Sequence, residues 1–308
     1  MPSLFSEPEL LELAAGVYAV IQPDGSWCLS NSGIVAGPHG TLVVDTMATE
    51  RRARRLHALV SSVSQVTLSP QTTTVLNTHH HGDHTFGNCV FAPDATIMAH
   101  EMTRENMVQA GLGLQQLWPA AEWGDIEVVL PGVTYQCSHA FDHLGAPARV
   151  DHLGPAHTPD DSVVFLPDQR VLYAGDIVMN GITPFCLMGS IAGSLHAIQS
   201  LRSYDAAVVV PGHGAVGGPE IFDETEAYLH WISGIAAAGH AAGLPVLDLA
   251  RQTDLGRFAA LGESERIVGN LARAYAEIDD APAGAPIDVA AYFGQLIEYH
   301  GGLPDCHA

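Results

Sequence analysis

His79-His80-His81-Gly82-Asp83-His84 constrains this chain more than any other stretch. It places His79, His81, Asp83 and His84 within six residues, directly after the run Thr74-Val75-Leu76. A strand that ends in a turn here projects His79 and His81 to the same side, because alternate side chains share a face. Asp83 and His84 follow where the backbone bends and reach a second point nearby. Two adjacent cations account for this arrangement better than one. His80 points away from its neighbours and reads as a supporting or structural residue.

Three further residues stand at strand ends in metal-like contexts. His157 lies in Gly154-Pro155-Ala156-His157-Thr158-Pro159, Asp176 closes Val171-Leu172-Tyr173-Ala174-Gly175-Asp176, and His213 closes Val208-Val209-Val210-Pro211-Gly212-His213. Each has a small residue beside it, which lets backbone and side chain approach an ion closely. Taken singly, His157 and His213 are ordinary core or capping histidines and Asp176 an ordinary turn residue or helix N-cap. The six-residue cluster reverses that reading. Imidazole and carboxylate suit zinc, iron or manganese, and without a cysteine ligand all three stay open. Asp45, after Leu42-Val43-Val44, reads as a structural hydrogen-bonder beside the site. Asp161 either orients His157 or closes a turn leading into the next strand.

The chain of 308 residues is long enough for one large domain or a domain with an appendage. Val17–Val20, Gly33–Ala36 and Thr41–Val44 read as an antiparallel meander. Residues 50–62 have helical spacing, with Ala53, Leu56, Leu59 and Val60 on one face. Strands are predicted at 74–77 and 95–99, then a helix and long loop over 101–123 that form a candidate lid. The second half repeats the theme, with strands at 148–153, 161–166, 171–174 and 206–210 and a helix at 194–203. From Pro219 the pattern is helical: 219–238, 246–252, 263–278 and 287–299. Residues 281–286 read as a loop between two of these helices. The expectation is an α/β layered core over residues 1–218 and a C-terminal helical extension over 219–308, packed on it.

Composition excludes several functions. The net charge of −22 comes from 34 acidic against 12 basic residues, all of them arginine. Such a surface repels nucleic acid and disfavours anionic membranes. No apolar run approaches the roughly 20 residues needed to span a bilayer. Residues 1–16 carry Glu7, Glu9 and Glu12 and lack the pattern of a secretory signal, so a cytoplasmic location is expected. Cys28, Cys89, Cys137, Cys186 and Cys306 form no Cys-x-x-Cys pair, which suggests neither a disulfide framework nor a thiolate zinc site.

The seven donors, in order and in context, resemble the metallo-β-lactamase superfamily over about Val17 to Gly218. The resemblance implies a four-layer αββα sandwich with a two-metal site along one edge of its sheets. It implies that His79, His81 and His157 hold one ion and Asp83, His84 and His213 the other, with Asp176 bridging. Two zinc ions are expected, with iron or manganese as alternatives. Cations about 3.5 Å apart lower the pKa of water between them and polarise a carbonyl, and Asp83 is the expected catalytic group that manages the proton. The same Lewis acidity serves an aldol ring closure.

Secreted β-lactamases lack the carboxylate that Asp176 supplies. Glyoxalase II enzymes bind glutathione through basic C-terminal residues, where this chain offers Arg251, Arg257, Arg266 and Arg273 and no lysine. Nuclease and phosphodiesterase branches need a basic channel; acyl-homoserine lactonases fit the donor set. Residues 25–33, 99–101, 117–119, 181–185 and 299–304 resemble the cyclases of bacterial aromatic polyketide pathways, of the actinorhodin-type second-ring cyclase/thioesterase group. That resemblance implies thioester hydrolysis and second-ring closure of a poly-β-ketone on an acyl carrier protein. The alternatives are a lactonase or glyoxalase II-like hydrolase of small thioesters or lactones, and a non-catalytic binding protein on a hydrolase scaffold. Trp27, Phe86, Trp118, Trp123, Met179, Phe185 and Met188 flank the donors and are the expected substrate pocket, with core packing expected for about half of them. Arg51, Arg52, Arg54 and Arg55 form either a carrier-docking patch or a solvated helix face.

Overall fold

The run Thr41-Leu42-Val43-Val44 shows how this sequence builds layers. All four residues are buried, yet Leu42 and Val44 face one apolar cluster and Val43 another. That is the period-two alternation of a strand covered on both faces. Val163 and Phe165 alternate with Val164 and Leu166 in the same way in a second sheet. Two sheets therefore meet face to face, and helices cover their outer sides.

The computed structural model describes residues 7–22, 24–142, 144 and 147–308. The first sheet contains β1 (Glu9–Ala14), β2 (Val17–Ile21), β3 (Ser32–Ala36), β4 (Thr41–Val44), β5 (Thr73–Asn77), β6 (Thr96–His100) and β7 (Val133–Tyr135), neighbours in that order. The second contains β8 (Ser138–Phe141), β9 (Ala148–His152), β10 (Ser162–Leu166), β11 (Val171–Gly175) and β12 (Val208–Pro211), again in order. The helices are α1 (Glu50–Val63), the short α2 (Gly82–Thr85) and α3 (Asn88–Phe91), α4 (Glu101–Ala110), α5 (Gly113–Leu117) and α6 (Ile191–Arg202). They continue as α7 (Glu220–Ala241), α8 (Val246–Gln252), α9 (Ile267–Ile278) and α10 (Val289–His300).

The antiparallel meander is present as β2, β3 and β4. Beyond it, β4 pairs parallel with β5, and β11 parallel with β12. A parallel pair needs a crossover, supplied here by α1 and α6, and it brings both C-terminal strand ends to one edge. That edge carries the polar cluster. Ala53, Leu56 and Val60 seat α1 on the first sheet, through the cluster that also holds Val43 and Val75. On the other side, α6, α7, α9 and α10 share one apolar cluster with Val163, Phe165, Leu172 and Val209 of the second sheet. Helix α9 packs against α7, α8 and α10 and is buried from Ile267 to Ala274. Among the described residues, no helix is long and apolar enough to cross a membrane.

Three strands escaped the sequence reading. β1 is Glu-Leu-Leu-Glu-Leu-Ala, good helix formers with no alternation, and its largely exposed edge position removes the period-two signal. β7 and β8 are three and four residues long, mostly exposed edge strands with the same lack of pattern.

Candidate metal centre

Each donor arrives from a strand end. His79, His80 and His81 follow β5, Asp83 and His84 ride on α2, His157 sits between β9 and β10, Asp176 follows β11, and His213 follows β12. The His79 and His81 rings stand 4.7 Å apart, and both lie close to His157, at 5.0 and 4.8 Å. His80 turns away, its Nδ1 donating to Asp160 Oδ1 at 2.8 Å. The donor atoms fall into two groups, His79, His81, His157 and Asp176, and Asp83, His84 and His213.

Asp176 lies between the groups. Its Oδ1 is 3.2 Å from His84 Nε2, and its Oδ2 is 3.3 Å from His157 Nε2 and 3.4 Å from His213 Nε2. His213 Nε2 is also 3.3 Å from Asp83 Oδ2. Ligand atoms sharing a tetrahedral cation at 2.0–2.1 Å stand about 3.3 Å apart, so these spacings match a shared ion. The stronger sign is what remains unpaired. His79 Nε2 and His81 Nε2 are buried with no hydrogen-bond partner, and His84 Nε2 and Asp176 Oδ1 face only each other, at 3.2 Å without hydrogen-bond geometry. A buried orphan costs about 1–3 kcal/mol, and donor atoms that converge without other partners fit cations held between them. The donor set fits two metal ions.

The opposite ring nitrogens are fixed. His84 Nδ1 donates to Asp45 Oδ2 at 2.8 Å, and His79 Nδ1 is 3.1 Å from Thr78 Oγ1, which donates to Asp45 Oδ2 at 2.7 Å. His213 Nδ1 donates to the Gly25 carbonyl at 2.9 Å, and His157 Nδ1 to the Phe185 carbonyl. Each contact leaves a lone pair on Nε2 for a metal. Asp45 is thus the structural hydrogen-bonder expected of it. Asp161 closes the turn: its carboxylate accepts from Ala156 N, Thr158 N and Thr158 Oγ1, and the His157 ring is oriented by Phe185 instead.

Burial lowers the pKa of His79, His81 and His157, which keeps them neutral. Burial also acts against protonation of His213, but Asp176 and Asp83 outweigh it and raise that group to about 9; His84 is raised likewise, by Asp176, Asp45 and Asp83. Burial would raise the Asp83 carboxyl, yet His84 and His213 hold it below the usual carboxylate range. A cation must therefore displace protons from His213 and His84. Metal affinity is expected to fall as pH drops from about 9 toward 6, with proton release on binding. Calorimetry in buffers of different ionisation enthalpy at pH 7 reads that release; a buffer-independent heat would contradict it.

The donors open onto a cavity where Asp83, His157, Asp176 and His213 meet Trp27, Trp118, Met179, Phe185 and Met188. Five of the seven expected pocket residues are thus on its wall. Phe86 and Trp123 are not: they pack edge to face at 6.1 Å in the core, and Trp123 Nε1 donates to the Trp118 carbonyl. The expected lid contributes Leu114, Leu117 and Trp118, and Trp118 is tied down by Nε1 donating to the Pro304 carbonyl at 2.7 Å. Sequence reasoning missed Phe293, Val289 and Arg266, which reach the cavity from the C-terminal helices. It also missed Asn270 and Arg273, whose side chains hold the backbone of Pro184, Cys186 and Leu187 around Phe185. Residues 266, 270 and 273 share one helical stripe, a polar line in an otherwise apolar helix that is the available signal.

Residues 25–213, more than half of the chain, match the family described as the metallo-beta-lactamase superfamily. The chain belongs to that superfamily. Its fold follows from membership, and the clustered donors fit the metal binding typical of the family. A 2,4-dinitroanisole O-demethylase alpha subunit from Nocardioides sp. (strain JS1661) is 29% identical over 187 residues, 58% of this chain and 51% of that one. A linear primary-alkylsulfatase from Pseudomonas sp. (strain ATCC 19151) is 24% identical over 230 residues, 62% of this chain and 43% of the relative. The chain thus spans about half the length, or less, of these two relatives. A type 2 metallo-β-lactamase from Bacteroides fragilis is 26% identical over 210 residues, 64% of this chain and 74% of that one. Among solved structures, a metallo-β-lactamase from Pontibacter korlensis superposes with a TM-score of 0.58 at 22% identity, covering 73% of this chain and 99% of its own. That likeness shows the fold.

Proposed function

We propose that this chain is a dinuclear zinc thioesterase and cyclase acting on an aromatic polyketide intermediate carried as a thioester on an acyl carrier protein. The observation that carries the reading is the cavity: two groups of metal-type donors, with Asp176 within 3.4 Å of histidines of both, open directly onto a wall of Trp27, Trp118, Phe185 and Phe293. Those rings pack with centroids 5.4–5.9 Å apart. A cavity with this lining suits a flat, apolar group with a few polar contacts. The relative whose name specifies 2,4-dinitroanisole as substrate also handles an arene.

His79, His81 and His157 would hold one ion and Asp83, His84 and His213 the other, with Asp176 shared. Bound cations supply Lewis acidity, which activates water for thioester hydrolysis and stabilises enolate charge for ring closure. Asp83, ionised and on the cavity wall, orients the attacking water and holds its proton at a carboxylate oxygen. The aromatic wall excludes bulk water and holds the acyl chain flat. Carrier docking does not fall to the arginine cluster as a whole: Arg52 is buried, bonding Gln22 Oε1 and the His307 carbonyl, while Arg54 pairs with Glu50 and Arg55 with Glu7.

The test is release of a cyclised acid from a carrier-bound poly-β-ketone thioester by protein shown by elemental analysis to hold two zinc ions. Chelation is expected to abolish it and zinc to restore it. Full activity in metal-free protein would sink the reading. Turnover of simple lactones or small thioesters, with none of the polyketide, would replace it by a small-substrate hydrolase.

A further inference from the structure

Arg266 stands out because its guanidinium is buried with donor capacity left over. It precedes α9 and is 2% exposed. It is the single arginine among the residues lining the cavity, which has no lysine. Its Nη1 donates to the Thr183 carbonyl at 3.2 Å and toward the Met179 sulfur at 2.9 Å, a weak acceptor. Its Nη2 donates to Glu263 Oε2 in a long ion pair of 3.5 Å, and the buried Nε has no hydrogen-bond partner. Glu265 is engaged elsewhere, accepting from Trp27 Nε1 at 2.8 Å. Burying a guanidinium in this state is costly unless a further acceptor completes it.

Arg273, seven residues on, provides the contrast. Its Nε and Nη2 donate to the Leu187 carbonyl and its Nη1 to the Ala285 carbonyl, so all three of its nitrogens are used to brace loops. Arg266 keeps donor capacity and meets the cavity on a flat aromatic seat. Its Cζ lies 4.2 Å from the Trp27 ring centroid and 5.7 Å from that of Phe185. The rings of Trp27, Trp118 and Phe293 line the same cavity as Arg266, so a planar ligand seated against them can present its edge to this guanidinium. Only an edge that carries a hydrogen-bond acceptor could use it, and on a polyketide-derived ring that acceptor is oxygen.

We propose that Arg266 determines substrate specificity by donating to a phenolic or enolic oxygen on the acyl ring system, so that the cavity selects oxygenated planar acyl groups over bare hydrocarbon ones. This rests on the reading of the cavity as the substrate site and says which part of the substrate it recognises. A hydrogen bond to a charged group is stronger than one between neutral groups, so the selectivity is on the order of tenfold or more.

The experiment measures binding of product-like acids to zinc-loaded protein by tryptophan fluorescence and calorimetry. The probes are 2-naphthoate, 5-hydroxy-2-naphthoate and 6-hydroxy-2-naphthoate, which share a carboxylate and a ring system. The wild type is expected to bind a hydroxylated isomer about tenfold more tightly than 2-naphthoate. In R266Q the preference shrinks to about twofold or less, while 2-naphthoate affinity stays within about threefold of wild type. Equal wild-type affinity for all three acids overturns the proposal. So does an R266Q protein that binds all three more weakly by one common factor, which is the signature of a brace for Trp27. Should R266Q not fold, R266K keeps the charge but loses the planar fork, and its preference is expected to fall at least threefold; an unchanged preference overturns the proposal. Because binding is read without turnover, an enzyme that selects hydroxylated acids yet cleaves no thioester would refute the thioesterase reading and leave this inference standing.

Discussion

Asp83→Asn is expected to lower thioester turnover by on the order of 10²–10⁴-fold with little change in fold. The side chain lies on the cavity wall, with Oδ2 3.3 Å from His213 Nε2 and 3.8 Å from His84 Nε2. Asparagine keeps the volume and one oxygen, but it carries no charge and cannot hold a proton from water. The local backbone does not depend on the carboxylate, since the Asp83 carbonyl accepts from Ser30 Oγ at 2.6 Å in either case. Circular dichroism and thermal melting should therefore change little, while kcat falls. Elemental analysis separates two roles. Loss of about one zinc per chain marks Asp83 chiefly as a ligand; retention of both with kcat still depressed marks it as the group that handles the proton. An unchanged kcat would remove Asp83 from the chemistry altogether.

The parts of the fold legible in sequence are those whose residues are buried on a regular period. β4, β5, β10 and β11 are short apolar runs covered on both faces, and α1 shows one apolar stripe. Helix α8 falls at residues 246–252, the range its pattern predicts. β1, β7 and β8 were not legible because they lie at or beside sheet edges, where neighbours on one side set no pattern. The layer order was legible only through the resemblance. Local periodicity identifies strands, but the meeting of β4–β5 with β11–β12 at one edge depends on contacts more than a hundred residues apart.

The donors were legible for a chemical reason. Metal ligands are restricted to a few side-chain types at strand ends, so His79, His81, Asp83, His84, His157, Asp176 and His213 stand out even before the structure brings them together. Pocket residues carry no such mark. Phe86 and Trp123 sit as near the donors in sequence as Trp27 and Trp118 do, yet their rings turn into the core. Phe293 and Arg266 lie far along the chain and arrive through packing of α9 and α10 against the sandwich. Orientation and long-range packing decide which apolar residue faces a ligand, and neither is written in local pattern.

Gly212→Ala is expected to cost the protein its metal site although Gly212 supplies no ligand. A Cβ at this position would stand 1.8 Å from Asp176 Oδ1 and 2.8 Å from the Gly175 carbonyl carbon. The backbone cannot yield easily, because Gly212 N donates to the Gly175 carbonyl at 2.8 Å and the Gly212 carbonyl accepts from Asn31 N at 2.7 Å. The Asp176 carboxylate must swing away instead, and it is the one group placed between both sets of donors. Displacing a supporting contact of a metal ligand typically lowers affinity about 10–100-fold; displacing the shared ligand itself should do at least that for both ions. Turnover should fall by about 10²-fold or more, with an overpacking cost of about 1–3 kcal/mol in stability. The control is Gly234→Ala within α7, where no atom lies within 4 Å of the added Cβ. There the same substitution should leave zinc content and turnover unchanged and stabilise the helix by about 0.5–1 kcal/mol. If Gly212→Ala binds two zinc ions with wild-type affinity, Asp176 does not sit where the two groups of donors meet, and the shared-carboxylate reading of this centre fails.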